Sequence, residues 1–132
     1  MNKKNTEHLF KSYPILYTGK DQPITENLMP FGFECGDGWF KLIDDLSKKI
    51  EEYNNSCKDE VEYCIAVQVN EKFGDLRFYT DGGNDDVYKW TSEAEDMSYN
   101  ICECCGKPGE ANRSGYIQVL CEQCKNRRKA QQ

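Results

Sequence analysis

Apolar positions change their spacing along this chain, and each change predicts an element. Trp39, Leu42, Ile43, Leu46, Ile50 and Tyr53 recur at three- and four-residue steps, the signature of an amphipathic helix. Asp37 suits its N-cap, and Asn54-Asn55-Ser56 its end. From Val61 to Val69 the period drops to two. Val61, Tyr63, Ile65, Val67 and Val69 then share one face, with Glu62, Cys64, Ala66 and Gln68 on the other. Gly74-Asp75 separates two strand-like runs and suits a two-residue type II′ hairpin turn. That turn sets Phe73 opposite Leu76, Lys72 opposite Arg77 and Asn70 opposite Tyr79. Phe73, Leu76 and Phe78 are expected on the core face, and Gln68, Asn70, Lys72, Arg77 and Tyr79 on the other. After the turn at Asp81-Gly82-Gly83-Asn84-Asp85, a helical stripe returns as Val87, Trp90, Ala94, Met97 and Ile101. Asp85 and Asp86 sit favourably at the start of this second helix.

The flanks are less periodic. Residues Met1 to Lys4 are expected to fray, and Asn5 or Thr6 to cap a short helix carrying Leu9, Phe10 and Tyr13 that Pro14 stops. Gly19 to Gly32 reads as a surface loop pinned by Ile24, Leu28, Met29 and Phe31. Tyr116 to Leu120 reads as a strand, and the basic tail from Lys125 to Lys129 as one or two helical turns. The fold class is therefore α+β: two amphipathic helices on a small antiparallel sheet, closed by a C-terminal zinc-ribbon-like module. Residues 1–100 form the first unit and 101–132 the second, packed as one.

The chemistry concentrates in that second unit. Cys102, Cys105, Cys121 and Cys124 stand in a C-x2-C-x15-C-x2-C arrangement, the spacing of a zinc site. Two residues between paired cysteines let one turn aim both thiolates at a single point, and Gly106 supplies the positive φ a knuckle needs. Four thiolates complete the tetrahedron and leave no position for an activated water, so Zn2+ is expected to be structural. Cys35, Cys57, Cys64 and Cys104 remain as free thiols, with Cys64 a small buried hydrophobe. A Cys35 nucleophile lacks a base, since His8 is the sole histidine.

Charge and composition narrow the setting. The net charge of -6 argues against broad duplex binding, which needs a basic face. No apolar run follows Met1-Asn2-Lys3-Lys4, and no stretch is long enough to span a membrane, so a cytoplasmic setting with reduced thiols is expected.

The runs Phe31-Gly32-Phe33-Glu34-Cys35-Gly36-Asp37-Gly38-Trp39 and Gln68-Val69-Asn70-Glu71-Lys72-Phe73-Gly74-Asp75-Leu76-Arg77-Phe78-Tyr79 precede the Cys102/Cys105 knuckle. In that order they resemble a family of small, mostly uncharacterised proteins of bacteriophages and prophages. The resemblance runs from Leu9 to Cys124; members of that family often carry His where this chain has Cys124, and either residue binds zinc. It implies phage origin and action inside a host cell, with interference in host defence as one route.

Three candidate surfaces follow. The loop Glu34 to Trp39 is either a helix start or a ligand loop using Gly36, Asp37 and Trp39. On the outer hairpin face, Gln68, Lys72, Arg77 and Tyr79 suit an anion: Arg77 offers a planar fork, and Tyr79 and Trp39 offer rings for a base. Arg113 with the Lys125 to Lys129 run offers a phosphate contact. The leading expectation is a non-enzymatic binding protein that engages a host protein or a nucleotide-like anion. A nucleic-acid-binding accessory factor comes second. An enzyme acting on nucleotides through Glu34, Asp37 and Arg77 comes third, since no recognised catalytic set is present.

Overall fold

The computed structural model describes residues 1–112 and 115–130. Its elements run α1 (Lys3–Ser12), β1 (Phe33–Glu34), α2 (Phe40–Ser56), β2 (Ile65–Lys72), β3 (Asp75–Asp81), α3 (Asp85–Ser98), β4 (Glu110–Ala111), β5 (Val119–Leu120) and α4 (Glu122–Ala130). The class is α+β, as the periodicities require. The main sheet is mixed rather than antiparallel: β1 joins β2 in parallel, and β2 pairs β3 antiparallel. The antiparallel pair β4–β5 forms a separate small sheet.

The N-terminal segment is held rather than frayed. The Met1 ammonium donates to the carbonyls of Phe33 and Cys35, and Asn2 caps α1 through the Asn5 amide. The loop from Gly19 to Gly32 is anchored by Met29 and by a polar residue, Asn27, while Ile24 and Phe31 are exposed. Asn27 donates to the Ala66 carbonyl at 3.0 Å and accepts the Met29 amide at 2.7 Å, so its buried amide replaces the missing strand partners.

Helix α2 buries Leu42, Ile43, Leu46 and Ile50 as its spacing predicts. It also buries two polar residues that serve neighbouring backbone. Glu51 accepts the Ile15 and Leu16 amides at 3.1 and 2.9 Å, and Asn54 bonds both the amide and the carbonyl of Cys64. Asp37 does not cap α2. It opens a 3₁₀ turn, Asp37–Trp39, and its Oδ1 instead accepts the Asn2 amide and Asn5 Nδ2.

The alternation expected from Val61 breaks in the structure. Residues Glu60–Glu62 form a 3₁₀ turn, and Val61 is 85% exposed. A bulge between Ala66 and Gln68 then reverses the phase of β2, so Cys64 and Ala66 face the core before it and Val69 after it. The Leu28 amide takes up the Val67 carbonyl at the bulge.

The hairpin register also differs by one step. Lys72 pairs with Asp75, Glu71 with Leu76, Asn70 with Arg77 and Gln68 with Tyr79. The turn is therefore Phe73-Gly74, both at positive φ (56° and 82°), which is type I′ geometry. Leu76 and Phe78 reach the core, but Phe73 projects into solvent. The offset separates Lys72 from Arg77 and places Asp75 opposite Lys72, so an opposite charge and not a like one faces the lysine.

Asn84 caps α3 through the Val87 amide. Val87 and Ala94 of its stripe are buried and Trp90 and Ile101 pack at the margin, whereas Met97 is exposed. Helix α3 covers the free edge of β3 with side chains: Ser98 Oγ accepts the Leu76 amide at 3.0 Å and Glu95 accepts the Phe78 amide at 3.1 Å.

Candidate metal centre

Two chain turns build the cysteine cluster. In the first, Cys102 and Cys105 flank a loop closed by the Gly106 amide to the Cys102 carbonyl at 2.9 Å, with Gly106 at φ 84°. The Cys102 amide returns to the Lys107 carbonyl at 2.7 Å. In the second, β5 leads directly to Cys121, and Cys124 lies in the first turn of α4. The Cys124 amide points at Cys121 Sγ from 3.4 Å, so one free helix N–H serves a sulfur.

The four sulfurs all lie within 4.8 Å of one another, and Cys105 Sγ is 3.5 Å from Cys121 Sγ. A tetrahedral ion with metal–sulfur bonds near 2.3 Å separates its sulfurs by about 3.8 Å. The set therefore fits an ion with little movement. Cys102, Cys121 and Cys124 are buried, and Cys105 is exposed. Their electrostatics point the same way. The Cys124 amide holds the Cys121 thiol down to about 7, while burial, followed by the neighbouring sulfurs, pushes the Cys124 thiol up. Sulfurs packed this closely cannot all ionise together without a cation among them.

The cluster is seated on the glycine-rich loop before α2. The Gly36 amide donates to Glu103 Oε2 at 2.9 Å, and the Gly38 amide to the Glu103 carbonyl at 2.7 Å. Trp39, with no exposed surface, donates Nε1 to the Ile101 carbonyl at 2.9 Å. A Cβ on Gly36 would lie 2.3 Å from the Glu103 carbonyl oxygen, and one on Gly38 2.0 Å from that of Cys102. The hairpin end closes the other side, where Tyr116 donates to Glu71 and Gly74 meets Ile117.

These contacts place the expected ligand residues. Gly36, Asp37 and Trp39 hold the knuckle and the N-terminal segment, and the Trp39 ring has no face open to a ligand. Gln68, Lys72, Arg77 and Tyr79 do share the opposite face of β2–β3, turned away from Glu71 and the knuckle. There Arg77 reaches Asp75 at 3.3 Å, and the cross-strand neighbours Asn70 Oδ1 and Arg77 Nε are shielded without hydrogen-bond partners among the described residues. Burial raises the Cys35 thiol to about 12, which suits a core residue and not a nucleophile. Arg113 lies outside the described residues, as does the Lys129 side chain; Lys125, Arg127 and Arg128 are exposed on α4.

One residue escaped the sequence reading. Glu103 sits between two cysteines of the cluster, where a charged residue reads as solvated, yet it is buried. Burial raises its carboxyl above the usual carboxylate range, against the opposing effect of the Gly36 amide. Among the described residues its Oε1 has no hydrogen-bond partner. Only the charge of Glu103 was visible in advance; its role depends on Gly36, which is 67 residues away.

No protein-family model matches this chain, and neither does any curated protein or any solved structure. Among the described residues, no helix is long and apolar enough to cross a membrane.

Proposed function

We propose that the ion is Zn2+, that its role is structural, and that the chain is a non-enzymatic binding protein. The observation that carries this is the closed donor set: four cysteine sulfurs converge on one point, three of them buried. Such a set prefers Zn2+ among the divalent ions common in cells, and it leaves no coordination position for a substrate. Beyond the metal, the reading rests on the resemblance to phage proteins. On that basis the protein acts in the host cytoplasm and engages a host protein or a small anionic, nucleotide-like ligand, and so counters a host defence. Protein purified without chelator should contain one zinc per chain and no metal-bound solvent by X-ray absorption spectroscopy. Substoichiometric metal, or an oxygen in the first coordination shell, would overturn the structural assignment. Turnover of nucleotides would overturn the non-enzymatic one.

A second reading has one observation in its favour. Helix α4 carries Lys125, Arg127 and Arg128, all exposed, directly beyond Cys124. A nucleic-acid-binding accessory role through this helix predicts affinity that falls steeply with salt and with loss of Arg127 and Arg128. Affinity that does not change with salt would exclude it.

A further inference from the structure

The four sulfurs of the cluster are unequal in their access to solvent. Cys102, Cys121 and Cys124 are 0%, 8% and 6% exposed, while Cys105 is open to water. Its Sγ lies 3.5 Å from that of Cys121, across the gap between the two chain turns. A sulfur that solvent reaches, with a second sulfur in contact, is the arrangement in which oxidation runs on to a disulfide. Cys104 is exposed as well, but it stands outside the group of four.

Helix α4 shows what depends on these sulfurs. Of its residues from Glu122 to Arg128, only Cys124 is buried. A helix of nine residues is marginal in water by itself. One cysteine side chain buries little apolar surface, so with zinc in the cluster the bond from Cys124 is what seats the helix.

We infer that Cys105 is an oxidative modification site for peroxides, and that its disulfide with Cys121 empties the cluster and releases α4. The inference rests on the reading of the ion as structural Zn2+. The Cys105 thiolate attacks one peroxide oxygen, the O–O bond breaks, and the departing hydroxide takes a proton to leave as water. The Cys105 sulfur then carries a hydroxyl. The Cys121 thiolate attacks that sulfur, the S–O bond breaks, and the second hydroxide is protonated to water. The two sulfurs have together given two electrons to one peroxide. Neither keeps the negative charge that holds a divalent cation, and Cys102 and Cys124 remain as an incomplete set. The new bond still ties the first knuckle to the end of β5, so the loss falls on Cys124 and the helix it seats.

Hydrogen peroxide added to the zinc-loaded full chain tests it. A chromogenic chelator reads free zinc, mass spectrometry reads the disulfide, and hydrogen exchange reads α4. Zinc should appear in step with a Cys105–Cys121 disulfide, and the amides of residues 122–128 should lose their protection. A thiol reductant with added zinc should reverse all three changes. Cys104→Ser should behave as the wild type. Cys105→His, which offers a ligand without an oxidisable sulfur, should keep its zinc under the same treatment. A disulfide through Cys104, or one between Cys102 and Cys105, overturns the inference, as does zinc release with α4 still protected. These outcomes are read on the wild-type protein, so they decide the matter even where Cys105→His does not fold. A chain that binds zinc and keeps it in excess peroxide overturns this inference alone; a chain that binds no zinc overturns the structural-zinc reading with it.

Discussion

Gly38 lies against Cys102 so closely that a Cβ added to it would stand 2.0 Å from the Cys102 carbonyl oxygen. The atom in the way is backbone, held within the cysteine knuckle by the Gly106 amide, and cannot rotate aside. Gly38→Ala should therefore lower stability by about 1–3 kcal/mol or more and loosen the metal. Thermal melting with and without a competing chelator reads both effects. A Gly38→Ala protein that melts normally and keeps its metal would show that the loop and knuckle do not depend on each other.

The same seat predicts which cysteines matter. Cys104 is exposed and stands outside the group of four sulfurs, whereas Cys124 is buried within it. Cys124→Ala should abolish stoichiometric metal binding, and Cys104→Ala should retain it. Cobalt refilling gives the readout, since a tetrahedral four-thiolate site has intense sulfur-to-metal absorption. Chelation of the wild type should also lower its melting temperature, because binding free energy of a preformed-only site is folding free energy. Metal loss with an unchanged melting curve would contradict this.

The four-cysteine cluster and the helices were legible in the sequence because each depends on local spacing. Cys102 to Cys124 declare themselves by two-residue gaps, and Leu42 to Ile50 by their helical stripe. What failed was long-range. The bulge at Val67 reverses which side of β2 is buried, and nothing in Val61 to Val69 signals it, since the Leu28 amide that meets it comes from a distant loop. The roles of Gly36 and Gly38 were likewise hidden. Their local pattern resembles a helix start or a ligand loop, and only the approach of Cys102 and Glu103 explains why no side chain fits.

Glu95 gives a pH-dependent test. Burial raises its carboxyl above the ordinary value of 4.5, outweighing the Phe78 amide that favours the charged form. An acid whose folded pKa is raised holds its proton more tightly when folded. Its contribution is thus greatest below the ordinary value and is lost as pH climbs through the raised one. Glu95→Gln keeps an acceptor for the Phe78 amide and removes the ionisation. The melting temperature of Glu95→Gln relative to wild type should therefore rise between pH 4.5 and neutrality. A constant difference across that interval would mean that the folded carboxyl titrates normally.

Phe73 occupies the first turn position of the β2–β3 hairpin at φ 56°, a conformation that suits Asn or Gly and not an aromatic side chain. It gains little burial in exchange, being 68% exposed. Lys72 Nζ stands 6.0 Å from the ring centre, at the limit of a useful cation–π contact. Phe73→Asn should accordingly stabilise the chain by about 1 kcal/mol, since it relieves the backbone and creates the Asn-Gly pair that type I′ turns favour. Chemical denaturation measures this directly, with an unchanged slope confirming that the folded state is the same. If Phe73→Asn is destabilising, the ring makes contacts in solution that outweigh its strained backbone. Its exposure at the hairpin tip would then have to be explained by what it touches there.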